Sequence, residues 1–131
     1  MKPKKTLYSD QADVWSKAKR HIESVLADCN CVSEAYVWAS LAEGKFGLYE
    51  KPYRNQAGSD IDLVVVLKEH SKPPENWKFT KVRKAWFDLY ELGTFEYKGN
   101  SHQIDALVVD PSRHDVDRMR KALEDRSKRI K

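Results

Sequence analysis

A chain of 131 residues is long enough for one packed domain and too short for two. With 40% hydrophobic and 34% charged residues it is neither a disordered polymer nor a membrane-spanning chain, since no apolar run reaches the roughly 20 residues that cross a bilayer as a helix. The net charge of +4 favours anionic partners, nucleotides or nucleic acid, and two cysteines are too few for a disulfide framework.

Residues 1–8 read as a basic tail without the apolar core of a signal peptide, so a cytoplasmic location is expected. Ser9 or Asp10 caps a helix running to about Asp28, whose stripe of Val14, Ala18, Ile22, Val25 and Leu26 suits packing on a sheet. Cys29 and Cys31 follow as reduced, partly buried thiols. A first strand is expected over 35–39, then a brief helix from Ser40 to Glu43 that Gly44 ends.

The stretch 45–57 has no clean period and reads as a long loop, carrying Phe46, Tyr49 and Tyr53 beside Lys45, Lys51 and Arg54. A second strand runs from about Ile61 to Lys68, and Pro73-Pro74 make 70–76 a linker. Phe79, Val82, Trp86, Leu89 and Tyr90 recur at helical spacing, which predicts a second helix over 78–92 with Gly93 at its stop. Residues 94–98 alternate like a strand, Gly99-Asn100 make a tight turn, and His102 to Val109 form the next strand. Pro111 breaks it, and Ser112 caps a charged helix over 112–131. The expected class is α/β (α+β), a small mixed β-sheet with helices packed on it, in a single domain over 1–131.

The chemistry concentrates in Gly58 to Leu67, GSDIDLVVVL. Side chains alternate along a strand, so Asp60 and Asp62 project to one side and Ile61 to the other. Two acids at the mouth of an apolar strand are costly unless positive charge sits between them. Asp105 likewise interrupts an apolar strand, QIDALVV. If the two strands are neighbours, the three carboxylates converge, and oxygen-only ligands of this kind favour Mg2+, Mn2+ or Ca2+. Two such ions suit in-line displacement at phosphorus. A nuclease using the same acids is less well matched, because Val64 and Leu107 stand where those sites commonly place a lysine two residues beyond the acid.

Ser59-Asp60-Ile61-Asp62-Leu63 resembles the aspartate-pair motif of the DNA polymerase beta-like nucleotidyltransferase superfamily, and the chain is most similar to its minimal, stand-alone domains. The resemblance spans about Tyr36 to Val109. It implies a nucleotidyltransferase-like fold that moves a nucleoside monophosphate from a nucleoside triphosphate to a hydroxyl acceptor and releases pyrophosphate. Asp60 and Asp62 would hold two Mg2+ ions, with Asp105 as third carboxylate and metal ligand, activating the acceptor hydroxyl. Ala39-Ser40 matches the family's Gly-Ser, with Ser40 donating to the triphosphate, Ser59 beside the motif, and Lys45, Lys51 and Arg54 meeting the phosphates. The chain departs from the pattern at Ala39, where the family has glycine, and in the longer stretch from Ser40 to Asp60. The acceptor would come from a partner protein, a nucleic acid or a second subunit, as in a homodimer. Minimal members often pair with a helical partner protein as antitoxins, so the alternative is a weakly active or inactive binding module of the same fold.

Overall fold

The computed structural model describes residues 2–131. Among these residues the first half of the chain forms β1 (Lys5–Leu7), α1 (Gln11–Leu26), β2 (Val32–Trp38), β3 (Gly47–Tyr53), β4 (Gln56–Gly58) and β5 (Ile61–Leu67). The second half adds β6 (Lys78–Arg83), β7 (Asp88–Tyr97), β8 (Asn100–Val109), α2 (Val116–Leu123) and β9 (Ser127–Arg129). They build a mixed α+β domain with a six-stranded sheet, ordered β6-β7-β8-β5-β2-β9, and a three-stranded sheet, ordered β1-β3-β4. Neither helix is long and apolar enough to cross a membrane.

Asp10 caps α1 by accepting the Asp13 N–H at 2.9 Å, and the stripe of Val14, Ala18, Ile22 and Leu26 is buried against one face of the larger sheet. On that face lie Ile61, Leu63, Val65 and Leu67 of β5 with Ile104, Ala106 and Val108 of β8. Val64, Val66, Leu107 and Val109 point to the opposite face, where Met119 and Leu123 of α2 cover them. The apolar run of β5 is thus enclosed on both faces, as central strands are. β5 and β8 run parallel, and every other neighbouring pair in the two sheets is antiparallel.

The approach to α2 is held by buried Asp88, which accepts hydrogen bonds from Arg113 and from His114 Nε2 at 3.2 Å. The Asp110 N–H donates to His114 Nδ1 at 2.8 Å, so the ring hydrogen resides on Nε2. Cys29 is buried and Cys31 half-buried, both as thiols.

Several expectations from the sequence are corrected. The helix over 78–92 is instead a hairpin of β6 and β7, pairing Phe79 with Tyr90 and Val82 with Leu89. Helical spacing and cross-strand pairing demand the same apolar positions here. The edge of β8 decides between them, since its N–H and C=O groups are satisfied by β7. Gly93 is not a helix stop; it sits at φ 94° inside β7, where the register shifts between Glu91 and Thr94.

The stretch 45–57 is not a loop but the β3–β4 hairpin, joined by Arg54 (φ 52°) and Asn55 (φ 64°). That turn lacks the glycine by which such turns are usually recognised. The tail 1–8 contains β1, which pairs with β3; a Cβ on Gly47 would meet the Thr6 carbonyl at 2.2 Å. The C-terminal segment is helical only over Val116–Leu123, capped by Asp115 rather than Ser112, and Asp125 (φ 60°) turns the chain back to lay β9 on the edge of β2. The brief helix at 40–43 is a turn over 39–44, and the tight turn after β7 is Lys98-Gly99, with Asn100 already paired to Tyr97.

Candidate functional site

Parallel pairing of β5 with β8 sets Asp62 directly opposite Asp105. Both side chains project to the α2 face, in step with Val64 and Leu107, but beyond the reach of the helix. Asp60 precedes Ile61 and projects to the same side. Glu91 of β7 pairs with Asp105 and Trp38 of β2 with Asp62, so one row across the sheet reads Glu91, Asp105, Asp62, Trp38.

Burial, then the negative charge of Asp105, pushes the Asp62 carboxyl up to about 7. Asp60 is pushed up by burial and then by Asp105 and Asp62. Burial raises Asp105 as well, against the Gln103 amide that donates to its Oδ1 at 2.6 Å. Carboxyls raised this way above their ordinary range are short of positive charge.

The turn that delivers Asp60 is braced from beneath. Buried Ser59 exchanges hydrogen bonds with Gly47, donating its N–H to the Gly47 carbonyl at 2.9 Å and accepting the Gly47 N–H on Oγ at 3.2 Å. The Ser59 carbonyl accepts from His102 Nδ1 at 2.8 Å, and His102 Nε2 accepts from the Tyr8 hydroxyl at 2.7 Å. His102 is fully buried, which depresses its basicity and keeps this tautomer neutral.

Asp60 and Asp62 open into a cavity of about 360 Å³ that Ala39, Ser40, Lys45 and Ser59 also line. Of the other residues expected to meet a nucleotide, Arg54 lines an adjoining cavity and Lys51 is exposed on β3. The Ser59 hydroxyl is engaged by Gly47, and Asp105 lies on the next strand, outside the lining of the larger cavity. Ala39 adopts φ 61°, the left-handed conformation that glycine takes most readily.

The sequence reading missed Lys2, Lys5, Glu43, Tyr49 and Arg126, which complete the wall. Arg126 arrives from the C-terminal return, its carbonyl accepting the Ala39 N–H at 3.1 Å. Its guanidinium pairs with Glu43 at 2.8 Å and lies 5.2 Å over the Trp38 ring. No local pattern around residue 126 signals this, because the return of the chain onto β2 brings it there.

Among the described residues no group of three or more His, Cys, Asp or Glu is already gathered around a metal position. The three carboxylates offer oxygen atoms alone, the donor type that hard divalent cations take. Asp60 Oδ1 is buried with no hydrogen-bond partner.

Comparison of the chain with protein-family models, with curated proteins and with solved structures finds no match.

Proposed function

We propose that the chain is a divalent-metal-dependent nucleotidyltransferase of the DNA polymerase beta-like type. The observation that carries this reading is Asp62 opposite Asp105 on adjacent parallel strands, with Asp60 and Asp62 lining a cavity that Lys2, Lys5, Lys45 and the Glu43-paired Arg126 also line. Carboxylates beside a cluster of cations are poorly explained by either charge alone. A bound metal–triphosphate reconciles them: the acids hold the metal and the bases hold the phosphates.

Asp60, Asp62 and Asp105 would hold the Mg2+ ions, whose charge offsets that building up on the transferring phosphoryl group. Ser40, Lys45 and Arg126 would position the triphosphate. The acceptor hydroxyl oxygen bonds to the α-phosphorus, the bond from that phosphorus to the bridging oxygen of the β-phosphate breaks, and pyrophosphate leaves. Asp105, in its carboxylate form, would take the hydroxyl proton as the new bond forms. Positioning and electrostatic stabilisation would supply most of the acceleration.

The test is incubation with labelled ATP, CTP, GTP and UTP in cell extract with Mg2+, beside calorimetry of nucleotide binding to the native chain and Asp62→Ala. Transfer of label, and binding that needs both Mg2+ and Asp62, are expected. Weak binding that is equal in both chains and indifferent to metal would overturn the reading in favour of a binding module.

A further inference from the structure

A second cavity, of about 190 Å³, shares Asp60, Lys2 and Tyr49 with the first and opens on the β3–β4 hairpin through Tyr53, Arg54 and Gln56. The two are therefore compartments of one site that meet at Asp60. They differ in character. The first carries Asp62, Ser40 and Arg126, whereas the second is framed by two aromatic rings, Tyr49 and Tyr53, with centroids 5.7 Å apart at 72°. The Lys2 ammonium lies 5.7 Å over the Tyr49 ring and the Arg54 guanidinium 5.2 Å over that of Tyr53.

Polar contacts place this second compartment on the Asp105 side of Asp60. Gln56 Nε2 donates to Gln103 Oε1 at 3.2 Å, and Gln103 Nε2 donates in turn to Asp105 Oδ1 at 2.6 Å. Aromatic faces and guanidinium planes are the groups on which unstacked bases lie, and flanking cations take the phosphates.

The geometry points to the β3–β4 hairpin as the acceptor subsite, taking the terminal nucleotide of a single-stranded nucleic acid with its base on Tyr53 and its backbone phosphate on Arg54 and Lys2. This rests on the transfer reading above and names its acceptor class. Tyr53 and Arg54 are binding residues in it, and Gln103 is a positioning residue for Asp105.

The test is fluorescence anisotropy of a short fluorescein-labelled single-stranded RNA, and of the matching DNA, in chelator-containing buffer where no transfer occurs. Tyr53→Ala should weaken binding roughly five- to a hundredfold, the range for losing one base–aromatic stack, and Tyr53→Phe should restore it. Arg54→Asn should weaken binding while leaving the thermal midpoint unchanged or higher, because asparagine tolerates the φ of 52° better than arginine. A merely structural role for Arg54 predicts no loss of affinity in that variant. Native affinity in Tyr53→Ala and Arg54→Asn, or no binding of either oligonucleotide, would overturn the assignment. Hairpin-dependent binding without label transfer in the nucleotide assay would sink the transfer reading and leave the nucleic-acid subsite standing.

Discussion

Replacing Asp62 by asparagine should make the metal-free protein more stable at mildly alkaline pH, although it removes a residue the proposed activity needs. The native fold raises the Asp62 carboxyl to about 7 from an ordinary 3.8, first by burial and then through Asp105. A group whose folded pKa lies above its unfolded one binds its proton more tightly when folded. Its full contribution to stability is therefore present below the unfolded value, and it is lost as pH rises through the folded one. About three pKa units correspond to a ceiling of about 4 kcal/mol. Asp60 and Asp105 share the same protons, so a gain of about 1–3 kcal/mol is expected for Asp62→Asn at about pH 8. For a chain of this length that corresponds to roughly 3–15 °C in melting midpoint. Near pH 4 the native carboxyl is protonated and the difference should vanish.

Urea or thermal melts of both chains in chelator at these two pH values provide the measurement, repeated with saturating MgCl2. Mg2+ should stabilise the native chain at the higher pH and leave Asp62→Asn nearly unmoved. If the metal-free variant is no more stable than the native protein at about pH 8, or native stability climbs between pH 5 and 8, the account of the carboxylate cluster is wrong.

Three further outcomes follow from the geometry. Ala39→Gly relieves a left-handed alanine that costs about 1–2 kcal/mol, offset by about 0.4–1 kcal/mol of unfolded-state entropy; melts should show a net gain of up to about 1.6 kcal/mol, and calorimetry a tighter nucleotide. Gly58→Ala would set a Cβ 2.4 Å from the Gly47 carbonyl and 3.0 Å from His102 Cε1. It should destabilise by about 1–3 kcal/mol in urea melts and weaken Mg2+ binding by displacing the turn that carries Asp60. Arg126→Ala removes a cavity cation and a partly exposed pair with Glu43, so stability should fall by less than about 1 kcal/mol. Triphosphate affinity in the same variant should drop about tenfold by calorimetry, a loss of about 1.4 kcal/mol.

The elements legible from residue order are those whose period has a single interpretation. The stripe of α1 and the continuous apolar run of β5 are of this kind, as are the three aspartates, which stand out because acids in apolar strands violate the rule of burial. Phe79, Val82, Leu89 and Tyr90 serve a helix face and a hairpin equally well, and the open edge of β8 selects the hairpin. The turn at Arg54-Asn55 carries no glycine, so the hairpin bearing the second cavity is invisible until β1 and β3 pair.

Residue order alone determined which side chains are the candidates for the proposed chemistry: acids two apart at the mouth of a strand, and a third in another. Tertiary structure alone decided that Asp62 faces Asp105, that Arg126 reaches the cavity from the far end of the chain, and that Tyr49 and Tyr53 stand beside Asp60. The physical reason is that alternation along a strand is a local property, whereas strand neighbours are chosen by which exposed edges and apolar faces the whole chain must cover.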